Sequence, residues 1–518
     1  MEASDVILVL TSIAIVFVLS SLLDQRRRRR TRLMPYTYPV IGHLVSLLRN
    51  RHRFYDWVTD VLSETTLPSK TIEVRPPFFG TPGVCTAEPT NVEHILRDNF
   101  PNYVKGPRFN AVLADFLGDG IFNADGELWA HQRKTAGHEF STRSLKSFIA
   151  DIVEAEIAGR LIPTLLSAAE AGNVVDLDDV FRRFTLDNIC DLAFGDDPAC
   201  LGPGREFPPF ALAMDEATEI CFHRFLSPLP WIWKAKRVLN VGSERRLRRA
   251  VKTIDDYLTR IVASREEEEL IRTGNPPKQD LLSRFIEASR KENPNPGSSN
   301  QKRRKFLRDI ILSFVFAGKD TTSTALSWFF WLLCENPRCE KRILDEIREV
   351  VLVSDADKIV PGYEEMKRMN YLQGMISESL RLYSPVPHNS RQSATDDVLP
   401  DGSRVGKGWF ADYSAYAMGR MENLWGPDCR EFKPERWLKK DGSFVAADQF
   451  RFPVFHGGPR SCLGKDMAYL QMKAVAAAVV TFFHVVKVGE EPPGYTVSLT
   501  PKMKGGLHVR LIKRNQSS

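Results

Sequence analysis

Apolar residues in this chain fall into two kinds of run. From Val6 to Leu23 an uncharged stretch of 18 residues reaches the lower end of what crosses a bilayer as a helix. Further along, apolar positions recur at helical spacing over Ser141–Leu166, Ser243–Leu270, Phe306–Cys334 and Pro337–Val351, which predicts long helices. Strand-like stretches are short and confined to Thr71–Arg75, Gly83–Thr86 and Leu507–Ile512. The polar segment Glu292–Gln301, rich in Pro, Asn and Ser, predicts a solvent loop before the helix at Phe306. No internal repeat is visible. The pattern predicts a mainly α fold with a small β region. Residues 1–32 read as a membrane anchor with a basic stop-transfer segment, 33–45 as a Pro-rich hinge, and 46–518 as one continuous domain.

Charge orients the anchor. Arg26–Arg30 and Arg32 follow the apolar run, the reverse of a secretory signal, whose charge precedes its apolar stretch. The alternative is a cleaved signal peptide; the basic flank instead implies a lumenal N-terminus and a cytosolic body. Half of the net charge of +6 arises here, from six arginines against Glu2, Asp5 and Asp24. The body is therefore near neutral and does not read as a nucleic-acid surface. Composition, with 43% hydrophobic and 26% charged residues over 518 positions, is that of a globular protein. Eight cysteines form no CxxC pair, which suits a reducing compartment.

One of those cysteines carries the candidate chemistry. The segment Phe455-His456-Gly457-Gly458-Pro459-Arg460-Ser461-Cys462-Leu463-Gly464 holds a single cysteine in a Gly/Pro-rich loop. Such a loop lets backbone approach a flat ligand closely. A thiolate stabilised there by N–H groups and a cation can ligate haem iron. An inert cysteine in a surface loop is the alternative, and it requires five matched residues over ten positions to coincide.

Three further constellations accompany the loop. Phe316-Ala317-Gly318-Lys319-Asp320-Thr321-Thr322 places an acid beside a threonine in a helix whose C-terminal half is apolar nearly all round. Gly318 and the hydroxyls can loosen the i→i−4 ladder and open a groove. Asp320 would bring protons to that groove and Thr321 would hydrogen-bond within it. An ordinary helix with solvent-reaching Asp320 is the alternative reading. Glu378 and Arg381, at i and i+3, share one helix face. They form either a surface pair or, with Arg436 of Pro434-Glu435-Arg436-Trp437, a buried clamp behind the cysteine loop. Trp129 and Arg133, at i and i+4, can together hold a carboxylate, although a core Trp beside a surface Arg fits the same spacing. His131, His138 and His456 read as ordinary surface or loop residues.

Taken in order, W-x-x-x-R, A-G-x-D-T-T, E-x-x-R, P-E-R-W and F-x-x-G-x-R-x-C-x-G, the chain resembles a membrane-anchored cytochrome P-450, a haem-thiolate monooxygenase. The resemblance covers essentially the whole chain. It implies the cytochrome P-450 fold after an N-terminal transmembrane helix, with Cys462 as axial ligand of haem b. Arg460, Trp129, Arg133 and, less strongly marked, Arg391 would hold the propionates; Asp320 and Thr321 would serve oxygen activation. Asn50–Phe54, Gly120–Asn123, Leu399–Gly402, Tyr416–Glu422 and Gly464–Ala468 look like the plant fatty-acid ω-hydroxylase clan. Within it they look most like the terminal hydroxylases of fatty acids, jasmonoyl-amino acids and steroid side chains. Gly457 replaces the clan's usual alanine, which reads as a mild change. Ala317 stands where many animal fatty-acid ω-hydroxylases carry a haem-esterifying glutamate, so no covalent haem attachment is expected.

The implied reaction is RH + O₂ + two electrons + two protons → ROH + water, with electrons from NADPH through a cytochrome P-450 reductase. Arg133, Lys134 and Lys465 are plausible basic contacts for that reductase. The implied location is the endoplasmic reticulum membrane with the body cytosolic, and the substrate is lipophilic. Terminal attack needs a narrow channel that presents only the chain end. Phe109, Phe122, Phe314, Ala317, Val386 and Pro387 lie in segments that line such channels in the family. A fatty acid comes first; a steroid side chain or a jasmonoyl conjugate is the alternative. A reductase-independent haem-thiolate isomerase is more remote, since such enzymes tend to lack the Asp320-Thr321 pair.

Overall fold

The structure is a computed structural model, and it describes residues 37–514 apart from 39, 65–68, 79, 203, 272–279, 293–299 and 352–358. The Val6–Leu23 run and the basic segment after it lie outside the described residues, as does most of the polar segment 292–301. Among the described residues no helix is long and apolar enough to cross a membrane.

The periodic segments are helices. Ser243–Leu270 lies within Gly242–Ile271, and Phe306–Cys334 lies within Asn300–Glu335, which starts six residues earlier. Pro337–Val351 is a helix over those bounds, burying Cys339, Ile343, Ile347 and Val350 at three- and four-residue steps. The segment read as one helix from Ser141 runs from Thr142 to Glu170, with π-helical turns at Phe148–Val153 and Ile157–Leu161.

Asn300–Glu335, 36 residues long, spans roughly 54 Å at 1.5 Å per residue and forms the axis of the molecule. Its C-terminal half is buried all round, through Leu326, Trp328, Phe329, Phe330 and Leu333, as expected of a helix without a polar face. The helix Leu177–Phe194 packs closely along it. A Cβ at Gly318 would lie 2.6 Å from Cγ1 of Ile189, so the glycine permits this approach. The helix continues unbroken through Gly318; the loosened ladder expected there is not observed, and the glycine serves packing.

The β region is small. A five-stranded sheet runs Thr71–Val74, Gly83–Thr86, Phe410–Tyr413, Asn389–Ser393, Tyr103–Val104 in spatial order. The Gly83–Thr86 and Phe410–Tyr413 strands are parallel, with Gly83 opposite Phe410, so most of the helical body forms the crossover between them. Val175–Asp176, His508–Lys513 and Phe483–Lys487 form a second sheet.

Candidate active site

The cysteine loop is shaped by backbone constraints. His456 has φ 60° and Gly458 φ +62°, and a Cβ at Gly458 would lie 2.0 Å from the Leu96 carbonyl oxygen, so only glycine fits. At Gly457 a Cβ would meet the Phe450 ring at 2.8 and 3.0 Å. Replacing the clan's alanine is therefore more than mild here, because Phe450 has closed onto the space. The Cys462 N–H donates to the Phe455 carbonyl at 2.8 Å, and the helix Lys465–Phe482 begins just beyond. Cys462 is the one exposed cysteine, and it lines a cavity of about 920 Å³. Burial pushes its thiol pKa up, while the Gly464 N–H, Arg133 and Lys465 pull against that shift.

Around this cavity the structure collects cations without enough anions. Arg391 is 1% exposed; its Nη1 donates to the Ser390 carbonyl at 3.1 Å, while Nε and Nη2 have no partner. Arg460 donates through Nη2 to the Ala124 carbonyl at 2.8 Å and to Asp125 at 2.7 Å, leaving Nε unpartnered. Arg133 reaches Ser461 Oγ at 3.4 Å. The Trp129 ring lies between the Arg133 and Arg460 guanidinium groups, 5.8 and 4.6 Å away. Two residues join that the sequence did not mark. Burial and the charges of Arg391 and Arg460 drive the buried Lys105 well below its usual pKa. Burial, Arg391, Lys105 and Arg460 lower His456 to about 3. Burial and Arg391 likewise lower Arg460 to about 10. His456 is thus not an ordinary loop residue but lines the cavity. Lys105 gave no signal beyond standing before Gly106-Pro107 with no acid close in sequence.

The long helix meets the cavity through Ala317, Gly318, Thr321, Thr322 and Ala325. The Thr321 hydroxyl donates to the Ala317 carbonyl at 2.7 Å and keeps its oxygen lone pairs free for another donor. Asp320 does not line the cavity, contrary to its expected part in the groove. It turns to the opposite side, 1% exposed, with Oδ1 2.6 Å from Lys319 Nζ and 3.2 Å from Lys502 Nζ. Burial alone would raise its pKa, but Lys319, Lys502 and Arg182 outweigh it and hold the carboxyl far below the usual range. Consecutive helical residues are about 100° apart around the axis; here Thr321 and Thr322 take the cavity side, and Asp320 takes the side of Lys319 and Lys502.

The clamp is buried. Glu378 and Arg381 are 0% exposed and doubly hydrogen-bonded at 2.7 Å. Glu378 also accepts from Trp437 Nε1 at 2.9 Å and from Arg436 Nε at 3.4 Å. Arg381 donates to the carbonyls of Cys429 and Glu431, at 2.6 and 3.0 Å. Trp437 in turn stacks edge-on with Phe452 at 4.9 Å, which links the clamp to the segment entering the cysteine loop.

Of the expected channel residues, Phe109, Phe122, Phe314, Ala317 and Val386 line the cavity. Pro387 does not. It is buried behind the wall, with its carbonyl accepting from Tyr416 N and Ser414 Oγ, both at 3.2 Å. Arg133 is turned inward rather than presented to a reductase, whereas Lys134 and Lys465 are exposed.

Unpartnered guanidinium atoms in a buried site are costly without an anion. They face the same cavity as a lone cysteine in a glycine-shaped loop, and so fit a flat, iron-bearing group with carboxylate arms. This is the site of a haem-thiolate oxidoreductase. The Cytochrome P450 family model matches residues 34–505, and the chain belongs to that family. It is similar to plant members. Cytochrome P450 94A1 of Vicia sativa is 43% identical over 489 residues, covering 93% of this chain and 91% of that protein. Cytochrome P450 94B1 of Arabidopsis thaliana is 43% identical, covering 93% and 92%. Cytochrome P450 94C1 of the same plant is 40% identical, covering 89% of each. The chain is accordingly a monooxygenase whose cofactor is haem with thiolate-ligated iron. Cys462 is the residue that would ligate it, and Arg391, Arg460, Arg133, Trp129, His456 and Lys105, which line the same cavity, would be available to its carboxylates.

Proposed function

We propose that the enzyme hydroxylates the terminal carbon of a long aliphatic chain, with a fatty acid as the first substrate class. The observation that carries this reading is the wall of the cavity, in which Phe109, Phe122, Phe314, Phe316 and Val386 line the same space as Cys462. A terminal methyl is intrinsically harder to attack than the neighbouring C–H bonds, so regioselectivity must come from walls that exclude the rest of the chain. The motif resemblance to the plant fatty-acid ω-hydroxylase clan supports the same reading. When bound, haem supplies oxygen activation. The chain's own residues hold its carboxylates, present Thr321 as a hydrogen-bonding hydroxyl at the cavity wall, and guide the substrate tail.

The remaining assignments follow the sequence. Electrons would come from NADPH through a reductase docking near exposed Lys465 and Lys134. Residues 1–32 would anchor the chain in the endoplasmic reticulum membrane with the body cytosolic, as their charge order implies. Protease added to intact microsomes should then digest the body. The main test is product analysis by mass spectrometry, using the full chain with reductase and NADPH. Hexadecanoic acid, a jasmonoyl-isoleucine and a steroid with a free isoprenoid side chain would be compared. A primary alcohol from the fatty acid is expected; oxidation confined to mid-chain or ring carbons would overturn the reading.

A further inference from the structure

Arg108 also lines the cavity. Its guanidinium lies 4.5 Å over the Phe410 ring, and Nη1 donates to Ser390 Oγ at 2.9 Å. Among the described residues no carboxylate lies within ion-pair distance of it. The Ser390 hydroxyl in turn donates to Asp412 Oδ1 at 2.5 Å, and Asp412 Oδ2 is 3.0 Å from His388 Nε2. Ser390 and Asp412 are paired across adjacent antiparallel strands, which fixes this string of side chains on one face of the sheet. Both Asp412 oxygens are engaged by neighbours other than Arg108. The other ring nitrogen of His388, Nδ1, is enclosed and has no partner. Arg108, Ser390, Asp412 and His388 all line the cavity, next to Phe54, Phe109 and Phe225.

The Arg108 guanidinium is therefore left without a counter-charge at the cavity wall. A guanidinium packed over an aromatic ring can still offer its N–H edge as a fork, the geometry that binds a carboxylate through two parallel N–H bonds. A half-buried cation without a counter-charge is costly in the free protein and is relieved by an anion. We infer that Arg108 is the anchor for the carboxylate head of an acidic substrate, while His388, whose Nε2–H donates to Asp412, shapes the wall beside it. This inference rests on the proposed function and deepens it: the enzyme selects acids over neutral lipids of equal length. Arg108 is a specificity residue, remote in role from the oxygen chemistry. Ser390 is a positioning residue that accepts from Arg108, and Asp412 positions Ser390 in turn.

The test compares acids with their neutral counterparts by affinity. Dodecanoic and hexadecanoic acids and their methyl esters are titrated into the full-length holoenzyme, and binding is read by calorimetry and by the haem absorption change. Wild type should bind each acid more tightly than its ester. Arg108→Gln should weaken acid binding about 10- to 100-fold, as expected for a lost hydrogen bond to a charged group, and leave the esters within about 2-fold. Arg108→Lys should retain part of the preference, which keeps the test decisive if the Gln variant folds poorly. His388→Phe should cost the acids less than Arg108→Gln. Equal binding of acid and ester by wild type overturns the inference, as does an equal loss of both in the variants. The position of oxidation is a separate readout. Mid-chain products with an Arg108-dependent preference for acids would overturn the terminal-carbon reading alone. Terminal products with no such preference would overturn the anchor alone.

Discussion

Lys319 Nζ lies 2.6 Å from Asp320 Oδ1 and 2.6 Å from Asp215 Oδ1, so carboxylates of two helices share one fully buried ammonium. Lys502 touches both acids, at 3.2 and 2.9 Å, and Arg182 closes on Asp215. Asp320→Asn removes the fully buried partner of Lys319. Leaving a buried charge unpaired costs about 3–5 kcal/mol; Lys319 keeps Asp215, so the variant should lose a smaller but measurable amount of stability. Replacing the pair together, Lys319→Met with Asp320→Leu, should recover a large part of that loss. Unfolding of the single and double variants checks this, and an Asn variant as stable as wild type would contradict it.

Thr321 behaves differently because its hydroxyl bonds only to a carbonyl of its own helix, at 2.7 Å. Thr321→Ala should fold and bind substrate like wild type, with stability changed by about 1 kcal/mol or less. It should keep consuming NADPH yet release peroxide in place of alcohol, with coupled turnover down on the order of 10²-fold. Peroxide and alcohol are measured in the same reaction, and unchanged coupling would reduce Thr321 to a structural residue.

The contrast between these neighbours marks where the sequence was legible. Helix Pro337–Val351 was readable because its buried positions, Cys339, Ile343, Ile347 and Val350, are set by local spacing alone. The Glu378–Arg381 pair was readable as one helix face, and the structure supplies the burial that spacing could not decide. Asp320 misled because the dipeptide Asp320-Thr321 says nothing about which way each side chain turns. Its distant partners Lys502 and Arg182 lie more than a hundred residues away in sequence. Lys105 and His456 were missed for the same reason, since only the fold brings them beside Arg391 and Arg460. Pro387 shows the converse: the right segment, Pro385 to His388, lines the cavity, but that residue faces its neighbours Ser414 and Tyr416.

Lys473 offers a pH-dependent test far from the site. It is 4% exposed, its ammonium donates to the Met366 carbonyl at 2.7 Å, and burial lowers its pKa from 10.5 to about 8 against the pull of Glu346. Between these two values the unfolded chain binds the proton that the folded protein has released, so this group's contribution to stability rises with pH there. Below about pH 8 its full cost is present. Lys473→Met should therefore be more stable than wild type at pH 7, by about 1–3 kcal/mol. The advantage should shrink as the pH approaches 10. Melting temperatures of both proteins across this range check the slope, and a pH-independent difference would refute it.

Arg391 tests the haem site from both sides. In the protein alone, its Nε and Nη2 are buried without partners, and burial lowers its pKa, so it is a liability until an anion arrives. Arg391→Met should raise the melting temperature of the haem-free protein while weakening haem retention, two effects of opposite sign. A residue that merely packs would lower both. Haem transfer to apomyoglobin measures retention, and thermal unfolding of the haem-free protein measures the other arm. Cys462→Ser is the control: the serine variant should bind haem less tightly and lose the thiolate-type absorption of the ferrous–CO complex, whereas Arg391→Met should keep it. If the serine variant retained that absorption, Cys462 would not be the ligand. If Arg391→Met destabilised the haem-free protein and left haem retention unchanged, Arg391 would be a packing residue and the cation cluster would lose its most deeply buried member.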